Sequence, residues 1–251
     1  MYCFARPGSI AGCVLDDVTA FGGFFIVRAD WRKRGVGRAL WEERLRYLGG
    51  RNIGIDAVES RVEFDQENGF KHLSFVVCAF LGCLKPKMLT SHSIADVIFR
   101  KLDCGSEADV RNVLEYDTKM HTIKREACFR QWISADVTET LVAYDLSKNV
   151  IGYGCVQPIE GGHYMLGPVF AERKDVGREL MVLLSRASGA LQDGKQVGLD
   201  VPQENVVAMQ FAQEHGMKQE LKLVRMYSDK IVRGVNVEKI FAFTTMGIAL
   251  A

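Results

Sequence analysis

The sequence carries no excess of charge of either sign. Its 251 residues include 32 Lys and Arg against 31 Asp and Glu, a formal net charge of +1. Proteins that hold the phosphates of nucleic acids present a basic region, and neither half of this chain has one, so the sequence predicts no nucleic-acid partner. Hydrophobic residues make up 48% and charged residues 25%. This composition argues against wholesale disorder and fibrous repeats and is close to the average of soluble globular domains.

Long apolar runs and paired cysteines are also missing. The longest near-apolar stretch, Phe75–Leu84, is too short to cross about 30 Å of hydrocarbon, and no secretory signal is visible, so no membrane partner is predicted. The seven cysteines form no Cys-x-x-Cys pair, which indicates buried thiols in a reducing, cytoplasmic compartment. Cys78, Cys83 and His92 are an alternative set of metal ligands. Because both cysteines lie in or beside the apolar run, we expect no metal.

What the chain does have is an internal repeat. Three segments of the first part of the chain recur in the same order about 140 to 147 residues later. They are Val36–Leu40 and Val176–Leu180, Gly54–Asp56 and Gly198–Asp200, and Phe64–Lys71 and Phe211–Lys218. Two copies of one α/β unit explain this order. We expect an N-terminal domain at residues 1–88 and a C-terminal domain at residues 94–251, joined by a linker near 85–93.

The two copies differ in length. The second copy predicts a strand at 97–102, two helices from 107 and 127, three strands within 141–170, a helix at 174–191, a strand at 197–201, a helix at 205–215 and a closing pair of strands near 221–227 and 239–245. The first copy predicts only the later elements, with strands at 13–15, 24–27, 53–58 and 75–81 and helices at 35–48 and up to 68. It therefore lacks the opening strand and two helices. We expect the second copy to pack on it through an apolar interface, with a homodimer left open.

One segment between a strand and an amphipathic helix has the composition of an anion site. Gly35 and Gly37 let backbone amides approach a ligand at a helix N-terminus, where the helix dipole favours negative charge. Four cations, at positions 32, 33, 34 and 38, flank the two glycines, which suits a pyrophosphate better than one carboxylate. The nucleotide-binding patterns with Gly-Lys-Ser/Thr or with a third glycine at position 40 are absent. A solvated basic helix start is the alternative reading.

Arg32-x-x-Gly35-x-Gly37 after a strand, with the later Gly69-Phe70, resembles the coenzyme A signature of the GCN5-related N-acetyltransferases (GNAT). The resemblance implies two GNAT-like α/β domains with mixed central sheets flanked by helices, and an N-acyltransferase that uses acetyl-CoA, without metal. It also implies an acceptor amine, either a small molecule or a peptide. The implied cofactor-binding residues are Val27, Arg32, Lys33, Arg34, Gly35, Val36, Gly37 and Arg38, with the Val27 amide polarising the thioester carbonyl.

The second copy departs from this signature. Glu172 and Asp175 stand where the family has Arg and the first Gly, and two carboxylates repel a pyrophosphate, so we expect this copy to bind CoA weakly or not at all. Catalytic residues are less defined. The tyrosine with which the family often protonates the thiolate is replaced by Asp65 and Ala212, and Glu59 is a candidate general base, with a solvated loop carboxylate as the alternative. An acyl-CoA-binding pseudo-enzyme is the competing function, and a purely structural tandem scaffold is a third.

Overall fold

A computed structural model describes residues 6–133, 138–192 and 194–243. The first repeat, within residues 8–82, contains four strands and two helices. They are β1 Gly8–Val14, β2 Thr19–Val27, α1 Val36–Leu48, β3 Asn52–Val58, α2 Val62–Glu67 and β4 His72–Gly82. Each predicted element of this repeat is present, and β1, β2 and β4 are longer than predicted because flanking residues, including Ala11, Ala20 and Gly23, also pair in the sheet.

The described residues of the second repeat, within 97–243, contain seven strands and four α-helices. They are β5 Val97–Lys101, α3 Glu107–His121, α4 Glu126–Ile133, β6 Glu139–Asp145, β7 Val150–Ile159, β8 His163–Ala171, α5 Lys174–Ala187, β9 Val197–Pro202, α6 Val206–His215, β10 Lys218–Tyr227 and β11 Ile240–Ala242. The helix predicted to reach residue 191 ends at Ala187, because Ser188 adopts an extended conformation and a short 3₁₀ turn follows.

All the strands belong to one mixed sheet. Its order is β1-β2-β3-β10-β4-β9-β8-β7-β6-β5, with β11 paired to β8 outside this path. Among the strand pairs of the described residues, only β2–β3 and β8–β9 are parallel. The α/β class with a mixed sheet is therefore confirmed, whereas the two separate sheets that the repeat suggested are joined into one. The division at residues 88 and 94 stays a prediction.

The repeats exchange their late strands. Strand β10 of the second repeat lies between β3 and β4 of the first, and β4 lies between β10 and β9 of the second. Val77 and Leu223 face each other at the centre of the β4–β10 pair and occupy equivalent positions beside β9 and β3. The two repeats are thus related by a local pseudo-twofold arrangement. The two strands predicted as a closing pair do not pair with each other, since β10 joins the first repeat and β11 joins β8.

Buried side chains and the linker also hold the repeats together. Phe75 and Val77 of the first repeat share a hydrophobic cluster with helices α3 and α4 of the second, while α5 and α6 cover another cluster. In the linker, the Lys85 amide donates to Nδ1 of His215 over 2.9 Å. Glu179 accepts hydrogen bonds from the Ser91 hydroxyl and the His92 amide. The segment that joins the repeats is therefore fixed to the second repeat.

Within the described residues, no helix combines the length and hydropathy that crossing a membrane requires. The same part of the chain contains no group of three or more His, Cys, Asp or Glu side chains arranged to hold a metal ion.

Candidate functional site

Strands β2 and β3 run side by side and then diverge. Their parallel pairing extends from Thr19 and Asn52 to Gly22 and Ile55 and stops there. Just beyond this point β2 contains a bulge in which two residues oppose one residue of β1, with a positive φ of 37° at Phe24. The divergence leaves an open slot between neighbouring strands, which we call the first slot.

The first slot is a cavity of about 330 Å³. It is lined by β2 and β3 at the divergence and by side chains from α1, α2, β4 and β10. Members of this lining include Phe21, Phe25, Trp41, Arg44, Asp56, Asp65, Val77, Asp200, Leu223 and Phe243. Because the walls come from both repeats, neither repeat alone forms this cavity.

The backbone at one end of the slot presents the amides of Val27 and of the first turn of α1. The Arg28 amide donates to the Pro7 carbonyl of the chain leading into β1, over 3.0 Å. Amide directions alternate along a strand, so the Val27 amide points away from β1, toward the side from which β3 has diverged. At the start of α1, Gly35 has a φ of 81°, and the amides of the first turn have no partner within the helix. The start of α1 lies against the slot lining, since a Cβ added to Gly37 would be only 3.4 Å from the Phe25 ring.

The four cations predicted to surround the glycines lie on this exposed segment. Arg32 donates from Nε to the Val27 carbonyl over 3.1 Å, and the Arg34 guanidinium lies 5.5 Å from the centre of the Trp31 ring. Arg38 pairs with Glu42 over 2.8 Å, so one of the four charges is neutralised on the helix surface. Lys33 adopts a left-handed backbone with a φ of 59°. The assignment of these residues to cofactor binding stays a prediction.

Arg44 is a slot residue that the sequence reasoning missed. Its side chain is 5% exposed, and its guanidinium lies 4.3 Å from the centre of the Trp41 ring. Nε and Nη2 have no hydrogen-bond partner within the described residues. Burial lowers the pKa of Arg44, although the nearby Asp65 charge opposes this effect. The spacing of Leu40, Arg44 and Leu48 puts the arginine on the buried face of α1, and that pattern was the available signal.

Asp65 and Glu59 have different surroundings. Asp65 is buried in α2 and lines the slot, and burial raises its pKa while the charges of Arg44 and Arg61 oppose the shift. Glu59 lies at the end of β3 with a mostly exposed carboxylate, 3.2 Å from Nζ of Lys222. The neighbouring residues Val58 and Arg61 line the slot, but Glu59 itself does not.

The equivalent slot of the second repeat is filled. Strands β8 and β9 pair only from Tyr164 to Met165 before they diverge. Strand β11 occupies the gap, paired to β8 on one side, and the amide of the following residue, Phe243, donates to the Asp200 carbonyl of β9 over 2.8 Å. Ile240, Phe241 and Ala242 are all fully buried. We call residues 240–243 the plug.

Asn205 and two residues at signature positions, Glu172 and Gly177, hold the plug in place. Asn205 donates from Nδ2 to the carbonyls of Glu238 and Ile240. Glu172 pairs with Lys239 just before the plug, over 2.5 Å. A Cβ on Gly177 would lie 2.2 Å from the Phe241 ring, so only glycine lets the plug pack against α5. The residues that match the cofactor signature therefore contact the protein's own chain.

Comparisons with known proteins agree with this fold. The sequence model of the family described as "Acetyltransferase (GNAT) domain" matches residues 113–242, more than half of the chain and within the second repeat. A holothin acyltransferase from Pseudoalteromonas sp. (strain SANK 73390) is 22% identical over 218 residues, which cover 87% of this chain and 69% of that protein.

Two solved structures share the fold. A proposed acetyltransferase from Pyrococcus horikoshii has a TM-score of 0.68 at 16% identity, covering 94% of this chain and 73% of its own. A tandem GNAT protein from the clavulanic acid biosynthesis pathway has a TM-score of 0.62 at 17% identity, covering 88% and 78%. The resemblance first seen in the Arg32–Gly37 segment is confirmed at the level of family. The chain belongs to the GNAT acetyltransferases, a family of N-acyltransferase enzymes.

Proposed function

We propose that the first repeat binds acyl-CoA, with acetyl-CoA as the donor to test first, and that the chain transfers the acyl group to the nitrogen of an amine. The observation that carries this proposal is the difference between the slots. The first is an open cavity beside the start of α1, and the second is occupied by the plug. One acyl-CoA molecule per chain follows from this difference.

In the proposed complex, backbone and side chains of the first repeat hold the cofactor. The amides at the start of α1 and the side chains of Arg32, Lys33 and Arg34 would bind the pyrophosphate, because that helix end concentrates donors and positive charge. The unpaired donors of Arg44 would bind carbonyl oxygens of the pantetheine chain inside the slot. The Val27 amide would polarise the thioester carbonyl and stabilise the oxyanion that forms when the amine attacks.

The acceptor is proposed to be a small molecule rather than a peptide. The relative from Pseudoalteromonas is named for holothin, and the tandem relative is named for clavulanic acid biosynthesis, so both names refer to small molecules. Both relatives also cover most of this chain, including both repeats.

Binding and turnover test this function separately. Calorimetry with acetyl-CoA should give a stoichiometry of one, and acetyl-CoA with a panel of small amines should release free thiol. Absence of acetyl-CoA binding would contradict the proposal. Tight binding without thiol release from any amine would favour the pseudo-enzyme instead.

Asp65 provides a sharper test of the chemistry. Without the family's usual tyrosine, proton delivery to the departing thiolate should be inefficient, and general acid catalysis is worth roughly 10²–10⁴-fold. Asp65→Tyr should therefore accelerate single-turnover thiol release. Asp65→Asn is the matched control, because it keeps the shape of the side chain and removes the carboxyl group that can donate a proton. A large decrease in the rate of thiol release in Asp65→Asn would show that Asp65, whose pKa is raised by burial, is itself the general acid.

A further inference from the structure

A second cavity adjoins the first slot. It has a volume of about 80 Å³, and Phe21 and Phe243 line both cavities. The remaining walls come from both repeats, with residues 15–21 of the first and helices α3 and α4 of the second. We call this space the acceptor cavity. Its position beside the point where β2 and β3 diverge gives it access to any acyl group held there.

The walls of the acceptor cavity are rich in aromatic rings, and its two arginines are already paired. The rings that line it belong to Phe21, His121, Phe129, Trp132, Tyr153, Tyr227 and Phe243. Arg125 pairs with the buried Asp117 over 2.6 Å, and Arg225 pairs with Asp56 over 2.5 Å. No carboxylate is among the described residues of the lining. An ammonium ion entering the cavity would lose its hydration, meet two arginines and find no lining anion to compensate.

Two polar atoms in this apolar lining lack partners. The indole Nε1 of Trp132 and the imidazole Nε2 of His121 are buried without a hydrogen bond to any described residue. Burial lowers the pKa of His121 to about 3, so the imidazole is neutral at physiological pH. A buried tryptophan N–H is donor-only and usually finds an acceptor, which a bound ligand could supply. Both side chains line the acceptor cavity, and unpartnered polar atoms beside a small apolar cavity are typical of a ligand site.

We propose that the acceptor cavity binds the amine substrate, and that this amine is compact, largely apolar, uncharged near neutral pH and equipped with an oxygen that accepts from Trp132. The inference rests on the proposed acyl transfer in the first repeat. Arylamines and other conjugated amines have this chemistry, whereas alkylamines and polyamines are ammonium ions at the same pH.

An uncharged amine also simplifies the reaction. Its nitrogen lone pair attacks the thioester carbonyl at once, so a C–N bond forms, the C–S bond breaks, and the electron pair of that bond leaves with the sulfur. The proton that the nitrogen loses ends on the CoA thiolate, directly or through water. No base has to remove a proton before attack, which agrees with the exposed, lysine-paired position of Glu59.

Two probes of equal ring size separate charge from shape. 3-Aminophenol carries a weakly basic aromatic amine, and 3-aminocyclohexanol carries the same substituents on a saturated ring with a protonated amine. Saturation-transfer NMR with the full chain, with and without CoA, should detect binding of 3-aminophenol but not of 3-aminocyclohexanol. With acetyl-CoA present, kcat/KM for thiol release should favour 3-aminophenol by at least about tenfold.

Two variants test whether 3-aminophenol binds in the acceptor cavity. Trp132→Phe should raise the KM or Kd for 3-aminophenol by about three- to tenfold, because one hydrogen bond is lost. The KM or Kd for aniline, which has no oxygen to accept that bond, should rise less. Acetyl-CoA affinity should not change. Tyr47→Phe, on the exposed surface of α1, is the matched control and should change neither ligand.

Opposite results have separate meanings. Preference for 3-aminocyclohexanol, binding of neither probe, or equal affinity in Trp132→Phe would overturn the inference even if acetyl-CoA binds. If the wild-type chain does not bind acetyl-CoA, the proposed function is wrong. In that case, NMR binding of 3-aminophenol without CoA still decides whether the acceptor cavity is a ligand site.

Discussion

Both slots of this protein form where a pair of parallel strands diverges, but the first is an open cavity and the second is filled by the plug. In the first repeat, the parallel strands diverge around a cavity whose wall includes the buried charges of Arg44 and Asp65. At the equivalent positions the second repeat has Leu184 and Ala212, both fully buried, and the plug occupies the gap. A slot that binds a ligand has to leave polar groups unpaired, whereas a slot that stabilises the fold has to fill its space.

Filling the second slot also shapes the first. Phe243 ends the plug, stacks on Phe75 of the first repeat with ring centres 5.5 Å apart, and lines the first slot. The Arg225 guanidinium of β10 lies 4.8 Å from the Phe21 ring centre and binds Asp56 of β3. The second repeat thus contributes walls to a site whose signature lies in the first, and the residues at equivalent positions can be exchanged to test this division of roles.

The largest effect is expected when the repeats are separated. A fragment of residues 1–88 leaves β3 without β10 and β4 without both of its neighbours. Its exposed strand edges and apolar faces should make it insoluble or molten. Circular dichroism during thermal unfolding would check this, with the full chain as control. A soluble fragment that unfolds cooperatively would mean that the first repeat does not depend on strand exchange.

The next effect concerns His215, which occupies the position of Asn68 in the first repeat. Burial lowers its pKa to about 4, against about 6.5 in an unfolded chain. Between these values the unfolded state takes up a proton that the folded state excludes. The free energy of unfolding should therefore be highest above pH 6.5 and fall by about 3 kcal/mol as the pH drops to 4.

His215→Asn installs the residue of the first repeat and isolates this contribution. Its side-chain oxygen can still accept from the Lys85 amide, but it does not titrate. Urea unfolding of both proteins from pH 7 to pH 4 should show a smaller loss of stability in the variant. Parallel pH profiles would assign the acid sensitivity to other groups.

Gly35→Asp gives the first repeat the residue that the second has at Asp175. A carboxylate at the start of α1 repels a pyrophosphate, and the φ of 81° strains any side chain there. We expect acetyl-CoA affinity to fall by more than about tenfold, or roughly 1.4 kcal/mol. Gly35→Asn has nearly the same shape without the charge and should lose less. Equal affinities of wild type and Gly35→Asp by calorimetry would remove this segment from the proposed site.

Arg44→Leu introduces the leucine that the second repeat carries at position 184. Loss of the buried donors should weaken acetyl-CoA binding about fivefold, close to 1 kcal/mol for one hydrogen bond. Arg46→Leu, on the exposed face of the same helix, is the control and should bind normally. If both variants bind equally well, the unpaired donors of Arg44 do not contact the cofactor.

The smallest effect is expected from the reverse exchange, Asp175→Gly. It restores one glycine of the signature in the second repeat, but the plug still fills the slot. Calorimetry should continue to report one acetyl-CoA per chain. A second binding site in this variant would mean that charge, rather than the plug, keeps the second repeat from binding.

The sequence alone determined the repeat, nearly every helix and strand, the α/β class and the family resemblance. These follow from local patterns: apolar periodicity, glycine at helix ends and a signature contained within six residues, Arg32–Gly37. Only the tertiary structure decided that β4 and β10 exchange places, that residues 240–243 fill the second slot, and that Arg44, Trp132 and Phe243 face cavities. Each of these depends on contacts between residues far apart in the chain, and the same strand pattern is compatible with either partner because backbone pairing does not depend on side-chain identity.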